Sequence, residues 1–330
     1  MKLNIRVRGA NRSVIAQREM ERVDDDGRSE CQRADWSRHK TECKSLRLRN
    51  PLLWRDAMAL SSPRKVSDHL RHYIERNFKN VEVRDSLEPY KECERCLVAT
   101  RDFRQRDLVL EEDGYVCIPV HTQKWYSCCH CLQFSSNPEY RCPICATCYC
   151  SLECKEADCG DHERHCKLYA SLKQTLDRVK TTLPSSATAV QRSLVGDEAL
   201  WRLVLRVLLA SDWEKPDTLG FSDVANLCGD SASFRDNAAW MQNAVAEVSE
   251  DVRALLEPFS ITVSVAAVAR VFYRVCCNKY AIRSSRMQTN GCGLFVVASF
   301  VNHSCQSNTV ASFVGRRIRF YATRGSEWVG

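Results

Sequence analysis

The spacing of hydrophobic residues predicts a mainly helical middle of the chain. Between residues 199 and 210, apolar side chains recur three and four positions apart, which is typical of an amphipathic helix. Similar spacing predicts further helices over 167–182, 236–256 and 262–280. A stretch with Pro184, residues 181–186, is a predicted linker after the first of these helices.

Segments rich in β-branched and other apolar residues lie before and after this helical block. Residues 97–99 and 108–110 are apolar and enclose the polar stretch 104–107, so they predict a strand, a turn and a strand. Two more short strands are predicted around 309–313 and 317–321. The order of elements therefore predicts an α+β fold in which a mainly helical block sits between two β-rich segments.

Composition narrows the class of protein. The chain has 330 residues, of which 44% are hydrophobic and 27% charged, as is ordinary for a soluble globular protein. Its longest apolar stretch, 261–277, contains Arg270 and Arg274 and is too short and too charged to cross a bilayer. The first residues contain no apolar signal segment, so we expect an intracellular chain with no membrane partner.

The basic residues support only a weak inference about nucleic acid. The net charge of +7 is modest for this length. The basic run at 33–49 has the charge to contact nucleic acid or acidic tails, but such runs are more often solvated surface.

Cysteines are concentrated in one short segment. Ten of the twenty cysteines fall between Cys128 and Cys166, and metal ligation is the simplest explanation in a reducing compartment, where disulfides are rare. Eight residues form four pairs whose members are three or four positions apart, which suits two tetrahedral zinc sites. These residues are Cys128, Cys131, Cys142, Cys145, Cys150, Cys154, His162 and Cys166. The alternative, a core patch of thiols, does not explain the regular pairing.

The same segment resembles the MYND zinc finger, including its string Tyr149-Cys150-Ser151-x2-Cys154. In that family the ligand pairs interleave, so the resemblance assigns Cys128, Cys131, Cys150 and Cys154 to one ion. It assigns Cys142, Cys145, His162 and Cys166 to the other. Cys129, Cys148, Cys159 and His165 fall outside the pattern and are expected to stay free of metal.

The spacing at the end of this finger occurs a second time near the N-terminus. Residues 31–43 contain Cys31, His39 and Cys43 in the frame of residues 154–166. They resemble the second half of another MYND finger whose first half is missing. Three ligands cannot close either site of an interleaved pair, so zinc is not expected there. We expect residues 1–30 to be poorly ordered or wrongly joined to the rest.

The most informative string outside the finger begins at Asn302. Asn302-His303-Ser304-Cys305 follows an apolar run at the entry to a loop, where Asn and His side chains can hydrogen-bond a ligand or each other. From the residues alone, a structural histidine in a turn is the simpler interpretation. A nucleophilic pair of Cys305 with His303 lacks a nearby orienting base.

This string resembles the Asn-His-Ser-Cys-x-Pro-Asn motif of SET-domain methyltransferases, with Ser307 at the proline position. The order of strands, finger, helical block and string resembles the SMYD family, in which a MYND finger divides the SET domain. The half-finger is similar to the arthropod branch of that family. The resemblance covers about residues 93–324 and implies S-adenosylmethionine-dependent methyl transfer to a protein lysine, by a knotted β fold.

The resemblance also implies a cofactor site. It assigns Asn278, Ser299, Asn302 and His303 to S-adenosylmethionine, and it assigns no catalytic residue. The family's glycine-bearing loop, which lets backbone approach the cofactor, reads Cys93-Glu94-Arg95-Cys96 here. The sequence stops at Gly330, before the family's Gly-Glu-Glu and tyrosine segment, so we expect a truncated chain without the tyrosine that shapes the lysine channel.

Pattern and resemblance together divide the chain into six parts. They are a poorly ordered N-terminus (1–30), a half-finger (31–43), a first SET segment (93–125), the MYND finger (126–167), a helical insert (168–285) and a last SET segment (286–330).

The leading functional hypothesis is a lysine methyltransferase, and the second is a catalytically incomplete docking module for proteins or peptides. A RING-like ubiquitin ligase is a third, but the usual Cys-x-His in the middle of the ligand order is absent. We expect a monomer of the nucleus and cytoplasm that binds two zinc ions and a histone or non-histone protein.

Overall fold

The computed structural model describes residues 3–4, 6–7, 65–85, 95–120, 127–133, 140–145, 147–185, 187, 189–210, 217–229, 239–284, 288–303 and 307–324. In this part of the chain, short strands form four small sheets, and most of the helices lie between the strands of the first and last segments. The predicted α+β class is therefore confirmed. None of the described helices is long and apolar enough to cross a membrane.

The strands that were predicted around 97–99, 108–110, 309–313 and 317–321 are all present. In chain order the strands are β1 (Leu3–Asn4), β2 (Arg6–Val7), β3 (Val81–Arg84), β4 (Cys96–Ala99), β5 (Leu108–Asp113), β6 (Val116–Pro119), β7 (Tyr140–Arg141), β8 (Cys148–Tyr149), β9 (Lys279–Arg283), β10 (Thr289–Leu294), β11 (Asn302–His303), β12 (Thr309–Val314) and β13 (Arg317–Ala322). One sheet has the order β11–β1–β12–β13–β5, and two others have the orders β6–β10–β9 and β2–β4–β3. The fourth is the β7–β8 hairpin.

Strands from the two ends of the described chain pair to make one core. β5 lies antiparallel to β13, with Leu110 opposite Phe320. β6 lies antiparallel to β10, with Ile118 opposite Cys292. The finger and the helices are thus an insertion between two halves of the same β-rich core.

The helices mostly follow the predicted ranges. They are α1 (Asp68–Asn77), α2 (Leu152–Ala157), α3 (Cys159–Thr182), α4 (Ala189–Val195), α5 (Glu198–Ala210), α6 (Phe221–Val224), α7 (Ala239–Leu256) and α8 (Val265–Asn278), with 3-10 turns at Glu257–Phe259 and Ala298–Phe300. α3 begins at Cys159, earlier than the predicted 167. α1 was not predicted, because its only buried residues are Leu70 and Ile74 and its apolar pattern is correspondingly weak.

The main core packs the helices against the sheets. Helix α5 is buried from Glu198 to Leu209, and the Trp201 ring stacks on Phe272 with centroids 4.4 Å apart. Near the N-terminus, β1 pairs with β11 and β12, and β2 pairs with β4. The other residues of 1–30 and the half-finger at 31–43 lie outside the described residues, so the predictions about them are not tested.

Candidate functional site

One group of four cysteines lies where a tight turn meets the end of the β7–β8 hairpin. The first group is Cys128, Cys131, Cys150 and Cys154, whose sulfur atoms all lie within 4.8 Å of one another. The Sγ atoms of Cys131 and Cys150 are 3.5 Å apart, and those of Cys150 and Cys154 are 3.6 Å apart. Cys154 lies on the first turn of α2, where its backbone N–H donates to the capping Ser151 hydroxyl.

A second group joins the other end of the hairpin to helix α3. The second group is Cys142, Cys145, His162 and Cys166, again with ligand atoms within 4.8 Å of one another. The Cys142 and Cys166 sulfurs are 3.6 Å apart, and His162 Nε2 lies 3.8 Å from Cys145 Sγ. His162 and Cys166 are four residues apart on α3 and therefore point from the same face of the helix.

Both groups fit structural zinc. Zinc–sulfur bonds of about 2.3 Å in a tetrahedron place ligand atoms about 3.8 Å apart. The four separations above, 3.5 to 3.8 Å, match that size. Four thiols in one group, and three thiols with an imidazole in the other, are the ligand sets of closed zinc sites. The groups interleave along the chain in the way that the MYND resemblance predicts.

The surroundings of the first group favour a thiolate. A hydrogen bond from the Cys131 thiol, with backbone N–H groups of Cys131, Cys150 and His130, lowers the pKa of Cys128, although burial opposes the change. The Cys128 thiolate in turn raises the pKa of Cys131. Metal binding requires deprotonated thiols, and an ion's own charge would favour ionisation of the others.

The residues that were predicted to stay free of metal, Cys129, Cys148, Cys159 and His165, lie outside both groups. Cys129 and Cys148 are buried, and Cys159 is exposed. The His165 ring stacks on Tyr169, with centroids 5.7 Å apart. In the part of the chain that the structure describes, these residues contribute to no further group of metal ligands.

A buried arginine connects the second group to the β-rich core. The Arg206 side chain, on α5, is 5% exposed and donates to the Asp161 carboxylate at 2.8 Å and to the Cys117 carbonyl at 3.4 Å. Asp161 precedes the ligand His162 on α3, whereas Cys117 lies on β6. One guanidinium therefore links the finger, the helical block and the sheet.

The predicted cofactor residues lie on adjoining parts of the core. Asn278 ends α8, and its Nδ2 donates to the carbonyls of Cys228 and Arg274 at 2.6 and 2.7 Å. The strand that follows it, β9, pairs with β10, and Tyr280 Oη donates to the carbonyl of Ala298 at 2.8 Å. That carbonyl belongs to the 3-10 turn that carries Ser299, so the two segments are directly connected.

The side chains of the predicted cofactor residues Asn278, Ser299 and Asn302 are two amides and a hydroxyl. The Ser299 hydroxyl donates to the Phe295 carbonyl at 2.6 Å. Asn302 is half-buried on β11, and the backbone of His303 pairs with Leu3 of β1. The Asn278 amide and the Ser299 hydroxyl donate to backbone carbonyls, so these two side chains would offer acceptor oxygens to the adenine and amino-acid ends of S-adenosylmethionine, which is compatible with the cofactor.

The loop without glycine places an arginine beside the same turn. The Arg95 guanidinium lies 5.2 Å from the ring centroid of Phe300, and its Nη1 donates to the Asn226 carbonyl. Phe300 follows Ser299, and the Asn226 segment also supplies the Cys228 carbonyl that holds Asn278. A cationic side chain therefore stands where the family resemblance predicts closely approaching backbone.

A buried carboxylate that sequence reasoning missed anchors the Ser299 turn. Glu112 is 4% exposed and accepts hydrogen bonds from the backbone N–H groups of Val297 and Ala298, at 2.9 and 2.7 Å. Burial raises the pKa of Glu112 to about 7, although these hydrogen bonds oppose the change. In the sequence it is the middle of three acidic residues after an apolar run, and nothing distinguishes it from surface charge.

Comparisons with known proteins show which family the chain resembles. A model of the SET domain family matches residues 94–327. Histone-lysine N-methyltransferase ASHR1 of Arabidopsis thaliana is 26% identical over 232 residues, which cover 66% of this chain and 42% of that protein. Histone-lysine N-methyltransferase SMYD3 of Homo sapiens is 25% identical over 237 residues, covering 70% and 50%. A SET and MYND domain-containing protein of Dictyostelium discoideum is 23% identical over 255 residues, covering 65% and 46%.

The chain spans about half the length, or less, of these curated relatives. The similarity to SET-and-MYND proteins confirms the predicted SMYD resemblance, whereas placement in an arthropod branch stays a prediction. Because the family model covers well over half of its residues, the chain belongs to the SET domain family, in the SMYD group whose SET domain is divided by a MYND finger.

Proposed function

We propose that this chain is an S-adenosylmethionine-dependent protein-lysine N-methyltransferase of the SMYD type that carries two structural zinc ions. One observation carries the proposal: two four-ligand groups lie within an insertion between strands that pair into one SET core. Relatives named as histone-lysine N-methyltransferases support a protein lysine as the acceptor.

The residues of this chain would bind and orient the reactants. Bound S-adenosylmethionine would supply the methyl group. Asn278, Ser299, Asn302 and His303 would hold its polar ends, and Glu112 would keep the Ser299 turn rigid by capping it. A lysine that receives the methyl group must be desolvated, lose its proton and be held in line with the methyl carbon.

The ligand class that follows is a protein, either a histone or a non-histone protein. We propose the nucleus and cytoplasm as its compartments and a monomer as its state. The basic run at 33–49, the weaker candidate for nucleic-acid contact, lies outside the described residues.

One observation favours a second function. The Arg95 side chain occupies the neighbourhood of Phe300, where the resemblance predicts glycine and exposed backbone. A catalytically incomplete docking module, in which the finger binds proteins or peptides, does not require that backbone. SET family membership argues against the RING-like ligase.

Calorimetry with S-adenosylmethionine tests the two functions. We expect saturable binding to the zinc-loaded chain and its loss in the double variant Asn302→Ala, His303→Ala. Ser312→Ala, at an exposed position on β12 of the same sheet, is the matched control and is expected to bind normally. Absence of binding by the unaltered chain, with two zinc ions present per molecule, would reject the enzyme and leave the docking module.

A further inference from the structure

We infer that Tyr149 and Asp158 position His162 for the second metal ion, through a buried chain of two hydrogen bonds. The inference rests on the zinc binding proposed above. It concerns residues that are not themselves ligands. It assigns to them the orientation and the tautomer of the only imidazole in the two groups.

The hydrogen-bond directions follow from the donors and acceptors present. His162 Nε2 faces the Cys145 sulfur, so Nδ1 is the nitrogen that points away from the second group. Nδ1 lies 2.8 Å from Tyr149 Oη, and Tyr149 Oη lies 2.7 Å from Asp158 Oδ2. A carboxylate only accepts, so the single tyrosine proton goes to Asp158 and the tyrosine oxygen accepts from Nδ1–H. Nε2 is then without a proton, and its lone pair is available to a metal.

Burial makes this arrangement specific. Tyr149 and Asp158 are 2% and 3% exposed, so little water competes for these hydrogen bonds. Asp158 is also fixed through its backbone, because its carbonyl accepts from the His162 N–H at 2.7 Å in the first turn of α3. The side chain and the main chain of Asp158 therefore both determine where the imidazole lies.

Packing alone does not require the tyrosine hydroxyl. The Tyr149 ring packs with Cys128 and Cys129 in a small apolar cluster, and a phenylalanine would fill the same space. Tyr140 lies directly opposite Tyr149 in the β7–β8 hairpin and packs against the same cluster. Among the described residues its hydroxyl makes no hydrogen bond to either metal group, so Tyr140→Phe is a matched control.

The chain also contains an internal control. Tyr149 adjoins Cys150, a ligand of the first group, so a folding defect at this position would weaken both ions. A positioning defect would weaken only the ion that is bound by His162. The two cases can be separated with Co²⁺, because four thiolates and three thiolates with an imidazole give different visible spectra.

The test is competition with a chelator on the full chain, with zinc and then with Co²⁺. For Tyr149→Phe we expect the affinity of one ion to fall about 10–100-fold, the range for lost outer-shell partners of a ligand. The Co²⁺ spectrum should assign that loss to the site with the imidazole. Asp158→Ala should behave in the same way, and Asp158→Asn should lose less, because its amide oxygen still accepts from Tyr149.

Two results would overturn the inference. One is unchanged affinity for both ions in Tyr149→Phe, and the other is an equal loss at both sites, which would indicate a general packing role. If the unaltered chain binds fewer than two ions, it is the zinc part of the proposed function that fails. The Tyr140→Phe control should retain both ions throughout.

Discussion

The finger and the β-rich core are stabilised by different means. In the core, strands and helices share one continuous cluster of buried apolar side chains that includes Trp201, Phe272 and Phe320. The separate cluster around the first metal group contains three buried residues, Cys128, Cys129 and Tyr149, and one of these is a ligand. Because so little apolar surface is buried there, bonds to the proposed zinc ions would supply the folding free energy of the finger.

The two metal groups also differ from each other. Cys145 and Cys166 of the second group belong to the main apolar cluster, and Arg206 links the neighbouring Asp161 to β6. None of the four ligands of the first group belongs to that cluster, although Leu132, next to Cys131, does, and Asn290 of β10 donates to its carbonyl at 3.2 Å. The second group is therefore an intermediate case, in which metal and core packing act together.

Removal of zinc should produce the largest difference in stability between the finger and the β-rich core. Structural zinc contributes on the order of 10 kcal/mol to small metal-dependent domains, so the metal-free finger should unfold while the core remains folded. After chelation, amide hydrogen exchange should become fast in residues 147–158 and stay slow in the buried helix α5. A protected finger in the metal-free chain would refute the comparison.

Single cysteine changes refine the same test. Cys150→Ser should release the ion of the first group, because it removes one of four ligands. Cys159→Ser should release none, since Cys159 is exposed and lies outside both groups. Zinc content per chain by elemental analysis distinguishes the two variants.

Loss of the Arg206 link should have the next largest effect. Arg206→Met leaves the buried Cys117 carbonyl without this donor and separates α3 from β6. Breaking a fully buried ion pair costs about 3–5 kcal/mol. Asp161 is 43% exposed and can regain water, so we expect about 1–3 kcal/mol in urea unfolding of the zinc-loaded chain.

The matched control for that change is another arginine with two acidic partners. Arg253 pairs with Glu250 and Glu257 at the surface, and Arg253→Met should leave stability almost unchanged. If Arg206→Met proves as harmless as Arg253→Met, the finger is not coupled to the core through this residue.

The last expected effect is a pH dependence of the stability of the core, caused by Glu112. Because its pKa is raised from 4.5 to about 7 in the folded state, Glu112 binds a proton more tightly when folded. Its contribution is therefore fully present below about pH 4.5 and is lost as the pH rises towards 7. We expect wild type to lose stability relative to Glu112→Gln across this window, by up to about 3 kcal/mol. A difference between their urea midpoints that does not change with pH would contradict this.

Much of the fold follows from local patterns in the chain. The strands β4, β5, β12 and β13 and the helices α5, α7 and α8 agree with the predicted ranges, because their apolar residues either recur at helical spacing or form short β-rich runs. Helix α1 and strand β3 were not predicted from the sequence. The α1 helix is mostly polar, and β3 is a short strand whose pairing with β4 crosses residues 86–94.

The predicted metal ligands could also be identified from local patterns in the sequence. Members of each pair lie three or four positions apart, so a turn or a helix brings them together whatever the rest of the chain does. How the pairs combine into two groups did not follow from spacing and came from the family resemblance. The hairpin of β7 and β8, together with α3, produces that combination.

Contacts between distant residues depend on the folded core. Glu112 accepts hydrogen bonds from the N–H groups of Val297 and Ala298, and Arg206 donates to the Cys117 carbonyl. These partners are far apart in the sequence. Their identities in the sequence are those of ordinary surface charges, since nothing local reveals that they are buried. The spacing of residues fixed where a metal can bind, because ligand geometry is local. The pairing of β5 with β13 and of β6 with β10 fixed that Glu112 and Arg206 are buried, because burial depends on what the rest of the chain places around a side chain.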